Sequence, residues 1–336
     1  MPEIDYKTGD PTAELPRYTG IKGWGMFLIV IGWLLICGAA ITGIELAARA
    51  AQSHSTPPTQ PPLLLLGNLI NALIKGWIFL RVGRGARQGR RWARPIILAF
   101  SVSFVIRGLF GLPESLLEFQ YAVRPHTVVT ATGTHPVSTG ISMAVAVIGL
   151  GFILLFFEVF PALMFWYFNR FVIQAEFERL DPHPAWTDRC PLPVLIFCAF
   201  CVAEMLQLVR SIPLGVAAIF ANILVGPPAW ALLAAQFLVV LAAIFLCVRL
   251  RLPGWLLGIM MVVLNFVSEV AFILHGDMQR FINLTQIHAT AEGAREALRI
   301  MRVALVSQTF FRAVVIVYLL YIYRYFKPPL ATVAAG

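Results

Sequence analysis

Six ionisable side chains, Lys75, Arg107, Glu158, Glu204, Glu269 and Arg312, stand inside long apolar runs of the sequence. A charge in hydrocarbon costs about 2.5–3.5 kcal/mol on insertion scales unless it is paired or hydrated, so each of these positions is a candidate for function. Carboxylates and guanidiniums at matched depths can bind a small charged solute or relay protons. They can equally form ion pairs that set the register of neighbouring helices and do nothing more. Glu158 precedes Arg170 by the interval at which Arg312 precedes Arg324, about 18 Å of helix, and the spacing predicts a pair between Glu158 and Arg312. Arg107 and Glu269 each stand one turn or so before the far end of an apolar run, which predicts a second pair, with Glu204 as an alternative partner for Arg107. Lys75 is about 9 Å of helix from Arg81 and is expected to snorkel toward it.

Other chemistry is sparser. His126, His135, His275 and His288, with Glu114, Glu118 and Asp277, fall between apolar runs and offer metal-type donors. None has a His-x-x-x-His or Glu-x-x-His spacing, and solvated loop histidines with no metal are expected. Cys198 and Cys201 form a C-x-x-C inside an apolar run, where a pair of small residues one turn apart reads as a packing face. Cys37, Cys190 and Cys247 lie in or beside similar runs, so no disulfide framework is expected. There is no G-x-x-x-x-G-K-[ST], H-E-x-x-H or G-x-S-x-G motif, and the sequence names no catalytic residue and no cofactor.

The runs that carry the charges dictate the architecture. Of 336 residues, 59% are hydrophobic and 13% charged, half the charged share of about 25% in soluble domains, and the mean hydropathy is +0.79. Apolar stretches near the ~20 residues needed to cross a bilayer recur between short polar connections, so the bilayer is the solvent and an all-α integral membrane protein the fold class. Eight spans are expected: 23–46, 63–80, 95–112, 140–168, 191–209, 229–248, 254–274 and 303–323. The polar segment 1–22 forms a tail, 176–190 a linker between halves 23–175 and 191–327, and 328–336 a second tail. The apolar connection 210–228 is expected to dip into the interface, and 274–300 to hold an amphipathic surface helix.

A net charge of +9 would suit nucleic acid, but the basic residues sit at span ends and no nucleic-acid partner is expected. The loop RVGRGARQGRRWARP carries Arg81, Arg84, Arg87, Arg90, Arg91 and Arg94, and the positive-inside rule makes it cytoplasmic, with both termini on the same side of a bacterial inner membrane. Arg84, Arg87, Arg90 and Arg91 are placed to touch anionic lipid headgroups. Arg295, Arg299 and Arg302, gathered before the eighth span on the opposite side, run against the bias. Aromatic clusters at 165–168 and 321–326 suit an interfacial belt.

The halves read as copies of a four-helix unit. The second and sixth spans both exit into arginines, the third and seventh both open at a proline (Pro95, Pro253), and the fourth and eighth both close on an aromatic run with an arginine. An even number of helices per unit makes the repeat parallel, about an axis along the membrane normal. The opening YTGIKGWGMFLIVIG and the exit WYFNRFVIQAEF, within residues 18 to 177, resemble the ends of the four-helix bacterial membrane proteins grouped as domain of unknown function 2569. The second half has RCPLPVLIF in place of the Gly-Trp opening. The resemblance implies a membrane topology and supplies no activity.

These readings favour a non-enzymatic role, as a small-solute transporter or a membrane accessory subunit, over a membrane enzyme acting on a lipid or quinone. Reporter domains inserted near Gln88 and fused after Gly336 are expected to report the same compartment, and opposite compartments would overturn the topology.

Overall fold

The computed structural model describes residues 15–51, 62–123, 127–130, 133–136, 139–284 and 291–326. Eight of its helices are long and apolar enough to cross a membrane, as expected. They are α1 (Leu15–Ala51), α2 (Pro62–Arg87), α3 (Ala93–Val123), the pair α4 (Thr139–Leu154) and α5 (Phe160–Phe168) joined by a π-helical turn (Leu155–Val159), α7 (Leu192–Ser211), α8 (Pro227–Val248), α9 (Leu252–His275) and α11 (Ala291–Ile322). Two short helices, α6 (Phe171–Leu180) and α10 (Met278–Leu284), lie between spans. Two antiparallel hairpins, β1 (Thr127–Thr130) with β2 (Gly133–Pro136) and β3 (Val216–Ile219) with β4 (Asn222–Val225), and three 3-10 turns (Trp186–Arg189, Ile212–Leu214 and Tyr323–Tyr325) complete the described elements. The spanning helices are largely exposed along apolar faces, as with Ile44, Ile148 and Leu238, which is the arrangement hydrocarbon requires.

Helix ends differ from the sequence expectation where local propensity outruns hydropathy. The eighth span was expected to begin at Val303, yet α11 begins at Ala291, because AEGAREALRIMR is rich in strong helix formers. α3 likewise runs on to Val123 through Pro113. The proline has no N–H to give the Leu109 carbonyl, and Ser307 of α11 donates its hydroxyl to the adjacent Phe110 carbonyl. The 210–228 connection folds as the β3–β4 hairpin with Val216 and Ala217 buried.

Small residues decide the closest helix contacts. A Cβ on Gly32 would lie 2.9 Å from the Gly76 carbonyl oxygen, and one on Gly83 would lie 2.8 Å from that of Gly25. These glycines, one heptad apart on each helix, form a seam along which α1 and α2 touch backbone to backbone. A third close approach joins α2 to α7, where a Cβ on Gly67 would strike the Arg210 carbonyl.

Within each half, successive spans pack on one another: α1 on α2, α3 on α4 and α5, α7 on α8, α8 on α9, and α9 on α11. The halves meet where α2 and α3 pack on α7, and α3 on α11. α3 therefore occupies the joint, whereas α9, its counterpart in a repeat, packs on α8, α11 and the β3 strand.

One side of the bundle, called the basic side below, is organised by the arginine-rich turn. Arg91 Nε lies 2.8 Å from Asp188 and its Nη2 3.6 Å from Glu178, while its backbone N–H donates to Asp181. Arg94 Nε donates to the Phe168 carbonyl at 2.9 Å, closing the C-terminus of α5. Guanidiniums of Arg170, Arg249 and Arg324 cover the rings of Trp166, Phe245 and Tyr321 at 3.6, 4.0 and 4.2 Å at the helix ends on this side.

Gly76→Leu is expected to wedge α1 from α2 and lower stability by about 1–3 kcal/mol, read as an earlier unfolding midpoint in detergent. The same change at Gly38, where a Cβ meets nothing within 4 Å, is expected to be near neutral.

Candidate functional site

Four of the six charges converge. Arg107 on α3 places Nη2 2.5 Å from Glu204 Oε1 on α7; Glu204 Oε2 lies 3.8 Å from Arg312 Nη2 on α11; and Arg312 Nη1 lies 2.5 Å from Glu269 Oε1 on α9. The order is cation, anion, cation, anion, so the chain is neutral as a whole. All four side chains are between 15% and 23% exposed, shielded enough for the pairing to carry real Coulomb energy. The Thr309 hydroxyl donates to its own helix at Leu305, 2.8 Å away, and approaches Glu269 Oε2 at 3.5 Å. Arg107 also faces the Phe311 ring at 5.3 Å.

The pairing corrects part of the sequence reading. Arg107 has Glu204 as its partner, one of the two expected. Arg312, expected to pair with Glu158, pairs with Glu269 instead. The partner is set by which helices face each other: α11 packs on α9, α3 and α7, while the α4–α5 span packs on α3. Glu158 consequently sits on the π-helical turn with its carboxylate against Gly108 of α3, and its Oε1 is buried without a hydrogen-bond partner. Arg107 Nε, one residue away along α3, is also buried and unpartnered.

Lys75 stands about 9 Å of helix before Arg81, and α2 continues beyond Arg81 to Arg87. It lies within electrostatic range of Arg210 and Arg107, and among the described residues no carboxylate pairs with it. One turn earlier on α2, Asn71 is 6% exposed with its Oδ1 unpartnered.

A cavity of about 200 Å³ opens beside the charged chain. Glu204, Glu269 and Arg312 form one wall; Gln236 of α8 and Asn265 and Ser268 of α9 add carboxamides and a hydroxyl. Gln236 Nε2 donates to Asn265 Oδ1 at 3.4 Å. Phe281 of α10 and Ala218 of the β3 strand close it on the side away from the arginine-rich turn. The hairpin is fixed there by its tip: Phe220 adopts a positive φ of 53°, a strained value for a bulky residue, and its N–H donates to Ser268 Oγ at 2.7 Å. The cavity is thus built by α7, α8, α9 and α11, inside the second half.

The remaining candidates separate from this site. Arg84 and Arg87 are exposed on the basic side, whereas Arg91, and Arg90 at 3.9 Å from Asp181, face protein carboxylates rather than headgroups alone. Cys198, Cys201 and Cys247 are free thiols in the core. Burial pushes the Cys190 thiol, outside the spans, up to about 12, so it is neutral at ordinary pH. Among the described residues no cluster of three metal-type ligands occurs. Asp277 caps α10 by accepting from the Arg280 N–H at 2.8 Å, and His275 is exposed. His126 and His288 lie outside the described residues. No family model matches the chain, and no curated protein or solved structure matches it.

Breaking a shielded pair leaves an uncompensated charge. Arg312→Ala and Glu269→Ala are each expected to lose about 3–5 kcal/mol, with the double variant losing much less than the sum. Glu158→Ala combined with Arg312→Ala is expected to be additive in the same denaturation assay.

Proposed function

We propose that this multi-pass membrane protein binds a small polar solute in the α7–α8–α9–α11 cavity, as the recognition step of transport. The single observation that supports it is the open volume beside the charges. An ion-pair network that only fixes helix register needs close packing around it, because empty space beside a charge forfeits both solvation and contact. Here the guanidinium of Arg312 and the carboxylate of Glu269 border a space of about 200 Å³ equipped with the amides of Gln236 and Asn265. Opposite charges flanked by amides suit a ligand that carries both an amine and an acid group, and a volume of that size is on the scale of a few to several waters.

On this reading the arginine-rich turn faces the cytoplasm, in keeping with the positive-inside rule, and the cavity is approached from the other side of a bacterial inner membrane. The two halves are read as copies of a four-helix unit, the first of which resembles the four-helix membrane proteins grouped as domain of unknown function 2569. The helix pair that carries Glu269 and Arg312 corresponds to the pair in which Glu158 lies beside the Arg107–Gly108 backbone, with the charges exchanged. Arg84 and Arg87 are assigned to anionic headgroups on the cytoplasmic leaflet.

In a variant whose cysteines are replaced, Asn265→Cys is expected to react with a membrane-impermeant thiol reagent added from the side of Asp277, with Asp277→Cys as positive control. In a thermal-shift panel of small amines, acids and zwitterions, at least one compound is expected to raise the midpoint of the wild type and not that of Glu269→Gln. An unreactive Asn265→Cys together with a silent panel leaves only the register-fixing role.

A further inference from the structure

We infer that the protein carries a phospholipid site on the face opposite the arginine-rich turn, in a groove between α3 and α11, and that it selects an anionic headgroup. The groove is separate from the solute cavity and independent of it. It has a volume of about 470 Å³ and is lined by Leu109, Phe110 and Pro113 of α3 and by Val303, Val306 and Phe310 of α11, with Arg302 at one end. Leu109 and Phe310 are 59% and 64% exposed, so the groove opens sideways, toward acyl chains and not toward the bundle interior.

Helix geometry sorts its chemistry by depth. At 100° per residue, Arg295, Arg299, Arg302, Val306 and Phe310 fall within about 80° of one another, and all are exposed. One stripe of α11 is therefore three guanidiniums followed by an apolar floor. Arg302 is about 33 Å along the helix from Arg324, whose guanidinium lies on the interfacial tyrosines of the basic side. That distance matches the ~30 Å hydrocarbon thickness, so Arg302 reaches headgroup level on the far leaflet while Val306 and Phe310 lie among its chains. The order of groups along the groove is the order in a phospholipid: phosphate first, then hydrocarbon.

Pro113 lines the groove from α3, and the Ser307 hydroxyl binds the Phe110 carbonyl across the floor, tying α11 to α3 where the remaining lining side chains below Arg302 are apolar. Three arginines gathered at this end also make sense of the sequence feature that opposes the positive-inside bias, with Arg299 only loosely engaged by Glu296 at 3.8 Å. Guanidiniums bind phosphate oxygens in a fork, and a cluster of them favours a headgroup with no compensating amine.

The test uses the whole protein in detergent with dioleoyl phosphatidylglycerol carrying a diazirine in one acyl chain, competed by dioleoyl phosphatidylcholine. Photolysis is expected to label the 303–310 segment. Arg302→Ala is expected to reduce that labelling about tenfold and erase the preference for phosphatidylglycerol. Val306→Trp, which fills the groove, is expected to abolish labelling of the segment with either lipid, while Arg84→Ala on the other side leaves it unchanged. Melting midpoints check that the variants fold. Labelling spread evenly over the exposed faces of α1, α8 and α11, or retained in full by Arg302→Ala and Val306→Trp, overturns the proposal.

Discussion

Four ionised side chains within the apolar spans find their counter-charges in one another, and the mutual placement of α3, α7, α9 and α11 follows from that. Arg107, Glu204, Arg312 and Glu269 come from four helices and alternate in sign, so sliding any one helix by a turn would strand a charge. Arginine suits this use because its planar fork holds two partners at once. Arg312 does so, with one terminal nitrogen toward Glu204 and the other toward Glu269. A lysine would meet only one carboxylate well.

Away from the charges, helices in lipid gain little from burying apolar surface, and close approach must come from small residues and hydrogen bonds. The glycine seam holds α1 to α2. Elsewhere, polar handles on large rings take over: Tyr318 donates its hydroxyl to the Pro193 carbonyl at 2.7 Å, and Trp255 donates its ring N–H to the Leu319 carbonyl at 2.8 Å. Ser307 likewise donates its hydroxyl from α11 to the Phe110 carbonyl of α3. The membrane interior of this protein is thus joined by a small number of directed contacts embedded in a large, nonspecific apolar surface.

The membrane-spanning helices were legible in the sequence because hydropathy over about 20 residues has one physical cause, the thickness of the bilayer. The charged positions were legible for the same reason, since each is conspicuous in an apolar run. Their partners were only half legible. Counting residues from a helix end gives depth, and depth alone assigned Arg312 to Glu158; which helix faces which depends on packing, and packing put Glu269 there. The end of the second span was set at Leu80, before the arginines, whereas the helix itself continues through that arginine-rich stretch to Arg87. The cavity could not have been read, because it depends on the β3–β4 hairpin, a folded-back segment whose tip is pinned by Ser268 across 48 positions of sequence. The Gly-x6-Gly spacings at Gly25 and Gly32 and at Gly76 and Gly83 were a usable signal that went unread.

The placement of α1 has a bearing on biogenesis. Its principal neighbour is α2, with ring contacts to α5 through Trp24–Tyr167 and Phe27–Phe160 and a minor contact to α6, whereas α2 goes on to meet α7. The seam between the first pair involves only residues that leave the ribosome early, so the two helices can complete their mutual fit inside the translocon or just beside it, before any of the charged partners has been synthesised. This hairpin then serves as a docking post: the Gly67 notch on its exposed flank is already formed when the segment containing Arg210 is delivered to it. Assembly would proceed by late helices closing onto an early, self-sufficient pair, an order written into which glycines face which neighbour.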